Sequence, residues 1–187
     1  RRIADGTADF TQGPAMTREQ ALLAIETGMA LVRDAREAGF SLLATGEMGI
    51  GNTTTSSAVA AVLLGEPVER MTGRGAGLSD AGLGRKLDAI RRGIARNRPN
   101  AEDALDVLGK LGGLDIAGLC GVFLGGARYR VPIVMDGFIS GVAALCAVRL
   151  CPKAEAAIFA SHASSEPAAR RVMEALGKRP LITAGMH

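Results

Sequence analysis

The sequence predicts an α/β fold, with a mostly parallel sheet lying in a three-layer arrangement between helices on both faces. Short apolar runs alternate with helical segments in the order strand, helix, strand, helix, strand, helix, strand. Such runs are typical of parallel strands that are buried on both faces. A second signal is the glycine content, 25 of 187 residues, because several glycines directly follow the predicted strands.

The elements follow from caps and apolar runs. Thr17 and Gln20 have the spacing of a capping box, so we expect a helix from there to about Ala38. Residues 40–45 form an apolar run that predicts a buried strand, and a helix over 53–64 follows it. The later elements are a helix capped by Ser79 and ending near Asn97, a helix over 101–111 capped by Asn100, a helix over 114–127, a strand over 131–135, a helix over 138–150, a strand over 156–160, a helix capped by Ser164 or Ser165, and a strand over 181–184.

Polar and glycine residues follow four of these strands, as Gly46-Glu47, Asp136-Gly137, Ser161-His162 and Gly185-Met186. In parallel α/β sheets, ligands bind beyond the carboxyl ends of the strands. The sequence therefore predicts a small-molecule site at this edge of the sheet.

The segment from Gly46 to Thr53 matches the phosphate-loop pattern G-x-x-x-x-G-K-[ST], except that Asn52 replaces the lysine. Glycines allow successive backbone N–H groups to point at one anion, and the following helix adds positive potential. Because the lysine is absent, we expect a single phosphate rather than nucleotide triphosphate hydrolysis. A tight turn without a ligand is the alternative.

A second glycine loop runs from Gly73 to Gly77, and Lys86 lies two turns into the helix after it. This loop is either a second backbone cradle or a flexible connection. Lys86 either reaches a phosphate or a glycine-loop carboxylate, or lies on a solvated helix face. Asp136 either binds ribose hydroxyls or holds a loop, and His162 is either structural or part of the site.

Composition excludes several classes of protein. The glycines have no three-residue period, the charge is balanced at +3, and 48% of residues are apolar, which argues against collagen-like and disordered chains. The longest uncharged apolar run is too short to span a bilayer. Cys120, Cys146 and Cys151 have no disulfide or zinc spacing, so we expect free thiols, a reducing cytoplasm, no metal and no cofactor.

A basic stretch keeps nucleic-acid binding open as an alternative. The sequence offers no aromatic stacking platform beside it, and a basic helix face is usually only solvated. The stretch consists of Arg85, Lys86, Arg91, Arg92, Arg96 and Arg98.

The ten residues from Gly46 to Thr55, GEMGIGNTTT, resemble the glycine-rich signature of the nicotinate-nucleotide–dimethylbenzimidazole phosphoribosyltransferase family. Further segments resemble the family in the expected order, over essentially the whole chain. They are PAMTREQ at 14–20, the loop at 73–77 with Asp80 and Lys86, LGGLDIA at 111–117, MDGFI at 135–139 and SHASSE at 161–166.

This resemblance implies transfer of phosphoribose from nicotinate mononucleotide to 5,6-dimethylbenzimidazole, giving α-ribazole 5′-phosphate and nicotinate in cobalamin synthesis. It also implies a Rossmann-like sheet, a homodimer, and no metal. By position it assigns supporting catalytic roles to Glu47 and Lys86, with Glu47 contacting ribose or assisting the base. The substrate-binding residues that it implies are Gly46, Gly49, Gly51, Asn52, Thr53, Gly75, Gly77, Asp136, Ser161, His162 and Ser164.

The chain departs from the family pattern in two places. The second loop reads Gly75-Ala76-Gly77, where many members have Gly-Thr-Gly, so one hydroxyl contact is lost. The glutamate that serves the family as catalytic base is expected shortly after His187. We therefore expect residues 1–187 to be the central nucleotide-binding domain of a longer protein, with most of the small second domain outside it. A nucleotide-phosphate binding module without transferase activity is the alternative.

Overall fold

The computed structural model describes residues 2–162, 164 and 166–182. Most of this part of the chain is helical, and three short strands lie between the helices. In chain order the elements are α1 (Arg18–Glu37), β1 (Leu43–Ala44), α2 (Thr53–Leu64), α3 (Val68–Met71), α4 (Asp80–Asn97), α5 (Ala104–Leu111), α6 (Leu114–Tyr129), β2 (Ile133–Met135), α7 (Gly137–Leu150), a 3-10 helix (Pro152–Ala157), β3 (Ile158–Ala160) and α8 (Ala169–Ala175).

The sheet is small, open and parallel, with strand order β1-β2-β3. Leu43 pairs with Ile133, and Ile133 pairs with Ile158, so the three carboxyl ends lie along one edge. Beyond β3, Ile182 forms an isolated parallel bridge with His162. The remainder of the predicted last strand, residues 183–184, lies outside the described residues. The predicted parallel α/β class is confirmed, in a more helical form than expected.

Local capping signals predicted most helix starts correctly. Thr17 accepts a hydrogen bond from the backbone of Gln20, whose side chain accepts from the backbone of Thr17, so the capping box is complete. Ser79 caps α4 by accepting from the backbone N–H of Gly82. Each cap satisfies N–H groups that the first helical turn leaves without an intrahelical partner.

Two predicted helix starts are wrong. Asp103, rather than Asn100, caps α5, because its carboxylate accepts from the backbone N–H groups of both Leu105 and Asp106. The side chain of Asn100 instead closes a turn with the N–H of Glu102. The last helix begins only at Ala169 and has no side-chain cap, so the expected cap at Ser164 is not formed; Ser165 lies outside the described residues.

The expected burial and lengths of the strands also need correction. Phe40 and Leu42 are 60% and 58% exposed, because they precede β1, which is the edge strand of the sheet. An apolar run looks the same at an edge as in the middle of a sheet. Residues 156 and 157, expected in a strand, lie in the 3-10 helix, so β3 starts at Ile158.

Glycine brings α1 and α6 into very close contact. A Cβ placed on Gly121 would lie 1.9 Å from the carbonyl oxygen of Ile25, and one on Gly28 would lie 2.0 Å from that of Gly118. These distances are far inside van der Waals contact, so only glycine allows this packing. Part of the glycine excess therefore builds the core rather than the site.

The cysteines are free thiols, and two of them belong to the core. Cys120 and Cys146 are completely buried, whereas Cys151 is partly exposed. Burial raises the pKa of Cys146 to about 12 and raises that of Cys120 well above its ordinary value. Such thiols pack as small apolar side chains. Among the described residues, no helix is both long and apolar enough to cross a bilayer.

Candidate functional site

A cleft of about 470 Å³ lies at the carboxyl ends of the strands. Its walls come from the loop after β1, the start of α2, the second glycine loop, the start of α7 and the segment after β3. This is the edge of the sheet at which the sequence predicted a site. The lining residues are Glu47, Met48, Gly49, Thr53, Gly75, Ala76, Asp136, Gly137, Phe138, Ile139, His162, Ser164 and Glu166.

The first glycine loop has a backbone conformation that residues other than glycine rarely adopt. Gly49 and Gly51 have φ angles of +76° and +85°. The N–H of Gly49 donates to the carboxylate of Glu47, so this carboxylate folds back over its own loop. The loop then turns directly into α2 at Asn52, its N-cap residue.

The amino end of α2 is free of side-chain caps. Asn52 makes no capping hydrogen bond, and within the described residues the backbone N–H groups of Thr53, Thr54 and Thr55 have no hydrogen-bond partner. A helix start of this kind combines free donors with the positive end of the helix dipole. It is a favourable place for a phosphate.

The second glycine loop approaches the same helix start. A Cβ on Gly75 would lie 2.8 Å from Thr53 Oγ1 and 3.7 Å from Lys86 Nζ. Gly75 and Gly77 both have positive φ angles, +55° and +100°. Gly77 has open space around its Cα, so its role is the turn itself.

Lys86 connects the second glycine loop to the start of α2. It is only 6% exposed, and its Nζ donates to Thr53 Oγ1 at 3.0 Å and to the carbonyl oxygen of Gly73 at 2.9 Å. The solvated-face alternative is therefore wrong for Lys86. It holds for its neighbours Arg91 and Arg92, which form exposed ion pairs with acidic side chains. These pairs neutralise positive charge that a nucleic-acid interface on α4 would need.

Burial lowers the pKa of Lys86 below its usual range, while the negative charge of Glu166 partly opposes the shift. The ammonium form is the one that attracts an anion. Phosphate affinity should therefore fall as the pH rises through this lowered pKa, before the ordinary range near 10.5. The free energy of unfolding should rise over the same interval of pH, since the cost of burying the charge disappears as Lys86 loses its proton.

Titrating inorganic phosphate calorimetrically from about pH 8 up to the ordinary lysine range near 10.5 checks this expectation, since phosphate is predominantly a dianion over that interval. Lys86→Arg is the control, because a guanidinium does not titrate there. Constant affinity in the parent, or an equal decline in the arginine variant, would contradict the assignment of the titration to Lys86.

Asp136, His162 and Ser161 form a connected group at the ends of β2 and β3. Ser161 Oγ donates to the carbonyl oxygen of Met135 at 2.9 Å and lies 2.9 Å from His162 Nδ1. Since the serine proton is used, Nδ1 of His162 carries the hydrogen of that second contact. Asp136 Oδ1 lies 3.4 Å from the same nitrogen. His162 therefore has its Nδ1 engaged on the protein side.

The predicted site residues fall into groups. Seven of them line the cleft: Glu47, Gly49, Thr53, Gly75, Asp136, His162 and Ser164. Gly51 and Asn52 line an adjoining cleft of about 370 Å³ that shares Glu47 with the first. The others are Gly46 near Asp136, Lys86 hydrogen-bonded to Thr53, Gly77 at a loop turn and Ser161 beside His162. Gly185 and Met186 lie outside the described residues.

Sequence reasoning missed the structural importance of two acidic residues. Asp115 Oδ2 accepts a hydrogen bond from Asn52 Nδ2 at 2.7 Å. Glu166 packs so closely over Gly73 that a Cβ there would lie 2.0 Å from its Oε2. Both lie in segments that resemble the family, but nothing in the sequence indicates these contacts. No group of three His, Cys, Asp or Glu side chains suited to a metal occurs in the described part of the chain.

Gly75→Ala should weaken phosphate binding about ten-fold, because the added methyl group both strains a positive φ and contacts Thr53. Gly84→Ala is the matched control, since Gly84 lies in α4 with open space around it and should become more stable as alanine. Calorimetric titration of phosphate into both variants measures the difference. Equal affinity in the two would show that the conformation of Gly75 is irrelevant to the anion.

A family model described as phosphoribosyltransferase matches residues 1–187, the entire sequence. The chain belongs to this phosphoribosyltransferase family. Its relatives include proteins named nicotinate-nucleotide–dimethylbenzimidazole phosphoribosyltransferase, of which that of Acetivibrio thermocellus is 53% identical over 187 residues and that of Roseiflexus sp. is 52% identical. The resemblance seen in the glycine-rich signature is confirmed.

Solved structures agree with this family membership. The structure named CobT from Thermus thermophilus superposes with a TM-score of 0.94 at 42% identity, and a second structure from the same organism has a TM-score of 0.91 at 41% identity. The two matches cover 100% of this chain, which covers 56% and 55% of the solved chains. The chain also spans about half the length of the curated relatives it matches, 53% of each.

Proposed function

We propose that the protein containing this chain transfers phosphoribose from nicotinate mononucleotide to 5,6-dimethylbenzimidazole, releasing nicotinate and forming α-ribazole 5′-phosphate. Family membership and the names of its relatives support this proposal. The structural observation that carries it is the uncapped start of α2, framed by two glycine loops and by Lys86. This arrangement suits the 5′-phosphate of a mononucleotide.

In the proposed complex, the phosphate lies against the N–H groups at Thr53 and the backbones of Gly49 and Gly75. The ammonium group of Lys86 lies behind Thr53 and supplies positive charge without occupying the cleft. The proposed binding set also includes Gly46, Gly51, Asn52, Gly77 and Ser164. It ends with the connected group of Asp136, Ser161 and His162, of which Asp136 and His162 line the same cleft and offer polar atoms for the ribose hydroxyls.

The reaction then needs alignment and proton removal. A ring nitrogen of the benzimidazole attacks C1′ from the face opposite nicotinate, so the centre inverts as the bond to nicotinate breaks. Holding both rings in line contributes much of the rate, and a base that accepts the other ring proton adds about 10²–10⁴-fold. We assign Glu47 a supporting role and place the main base in the part of the family's sequence outside these residues.

We also propose a homodimer located in the cytoplasm. Large apolar side chains exposed at Leu31, Phe40 and Leu181 support further packing partners, without distinguishing a second copy from the remainder of a longer chain. Free thiols support a reducing compartment. Light scattering of the complete protein measures the oligomer, and a monomer at micromolar concentration would contradict the dimer.

The proposed function is tested by incubating the complete protein, and separately residues 1–187, with nicotinate mononucleotide and dimethylbenzimidazole. We expect the complete protein to release nicotinate and the shorter chain to release little. Omitting dimethylbenzimidazole is the control that separates transfer from hydrolysis. Absence of nicotinate release from the complete protein would overturn the proposal. Nucleotide binding without release by the complete protein would indicate a binding module instead.

A further inference from the structure

A hydrogen bond between Asn52 and Asp115 joins the start of α2 to the first turn of α6, and the proposed chemistry does not use it. Asn52 Nδ2 donates to Asp115 Oδ2 at 2.7 Å. The amide oxygen of Asn52 is buried and accepts no hydrogen bond from the described residues. Because a carboxylate only accepts, the nitrogen of the amide must face Asp115, and this orientation is unambiguous.

The arrangement is unusual for an N-cap asparagine. Such a side chain normally turns its oxygen to the N–H of the second or third helical residue. Here those N–H groups, of Thr54 and Thr55, have no partner within the described residues, while the oxygen that could accept from one of them is buried and unpaired. Asn52 also has a helical backbone, with φ −93° and ψ −3°, whereas a capping residue is normally extended, so its side chain does not cap α2 in this conformation. The bond to Asp115 holds the side chain in this non-capping arrangement.

Asp115 has room for this role because its neighbour is glycine. A Cβ on Gly113 would lie 2.2 Å from Asp115 Oδ1, so the carboxylate lies directly over Gly113. Gly113 is itself the N-cap of α6 and has an extended backbone that alanine also adopts. An alanine at 113 would displace the carboxylate by contact while leaving Asn52 itself unchanged.

We infer that Asp115 is a positioning residue that holds Asn52 out of its capping position and so keeps the first N–H groups of α2 available to a phosphate. The inference rests on the proposed function only for the identity of the molecule that carries the phosphate group. Charge alone predicts the opposite effect, because removing a carboxylate near an anion site favours the anion. The sign of the change therefore separates the two explanations.

The test is calorimetric titration of inorganic phosphate and of nicotinate mononucleotide into the complete protein and its variants. Asp115→Ala should weaken both about five-fold, the factor that one competing N-cap hydrogen bond represents. Asp115→Asn, whose amide oxygen still accepts from Asn52, should bind within about two-fold of the parent. Asp88→Ala, which removes an exposed carboxylate on α4, is the control for charge and should bind as the parent does.

The double variant Asn52→Ala with Asp115→Ala isolates the mechanism, because without Asn52 there is no side chain to hold away. It should bind phosphate as Asn52→Ala alone does. In turnover assays, Asp115→Ala should raise KM for the nucleotide and leave kcat within about two-fold. Phosphate binding is read without turnover, so a failure of the proposed function leaves this comparison intact.

Two results would overturn the inference: unchanged or tighter phosphate binding by Asp115→Ala, or an equal loss in the Asn52→Ala background. Should Asp115→Ala fail to fold, hydrogen exchange in the parent decides. The amides of Thr54 and Thr55 should exchange rapidly without phosphate and become protected when it is added. Protection of these amides in the phosphate-free protein would show that the helix start is already capped, and the inference would fail.

Discussion

Lys86→Met should weaken binding of nicotinate mononucleotide about 100-fold, the largest functional effect expected from a single side chain here. The change removes two hydrogen bonds, to Thr53 Oγ1 and to the carbonyl oxygen of Gly73, and leaves that buried carbonyl without its charged partner. Hydrogen bonds to charged groups contribute about 1.5–3 kcal/mol, and about 1.4 kcal/mol corresponds to a ten-fold change in affinity. The loss of positive charge near the proposed phosphate position acts in the same direction.

The measurement is calorimetric titration of the nucleotide, with thermal unfolding of each variant recorded beside it. Lys110→Met is the matched control, because Lys110 lies on α5 in an ion pair with Asp106 one helical turn away. Such pairs contribute only about 0.3–0.5 kcal/mol, so this variant should bind the nucleotide normally. Binding by Lys86→Met within three-fold of the Lys110→Met variant would show that Lys86 does not support the site.

Gly121→Ala should lower the free energy of unfolding by about 3 kcal/mol, at the upper end of the usual cost of overpacking a core. Its Cβ would lie 1.9 Å from the carbonyl oxygen of Ile25 and 2.9 Å from its Cα. The obstacle is the backbone of α1 rather than a side chain that could rotate. The two helices must therefore separate, and separation disturbs the largest helix–helix contact of the fold.

Gly118→Ala is the matched control on the same helix. A Cβ at Gly118 would meet its nearest neighbour only at 4.0 Å, so the alanine should be tolerated and should favour the helix. Urea unfolding of both variants, followed by circular dichroism, measures the difference. Similar midpoints for the two would show that α1 and α6 can move apart at little cost.

Helix positions could be predicted well wherever the signal is local. The capping box at Thr17 and the cap at Ser79 act through hydrogen bonds that span only three residues, so the sequence contains everything they need. Burial of an apolar run is different. Residues 40–45 were expected to be covered, yet Phe40 is 60% exposed, because position within the sheet depends on segments far along the chain.

The candidate site shows the same division. Gly49, Thr53 and Gly75 could be expected near a phosphate because glycine loops before helices have a known backbone geometry. The residues alone left open whether Lys86 is buried or solvated, because a helix with many cations has no sequence mark for the one that faces inward. The partnership of Asn52 with Asp115 joins residues 63 positions apart, and only packing of α2 beside α6 produces it.

The sequence by itself determined the parallel α/β class, most helix boundaries and the edge of the sheet at which the candidate site lies. These depend on residue periodicity, short-range hydrogen bonds and the shared direction of parallel strands. Only the tertiary structure decided which glycines serve the site and which serve the core. Gly75 and Gly121 look alike in sequence, but one bends a loop against Thr53 and the other admits the backbone of α1. The physical reason is that a missing side chain acquires its role from whatever atoms the fold brings into that space.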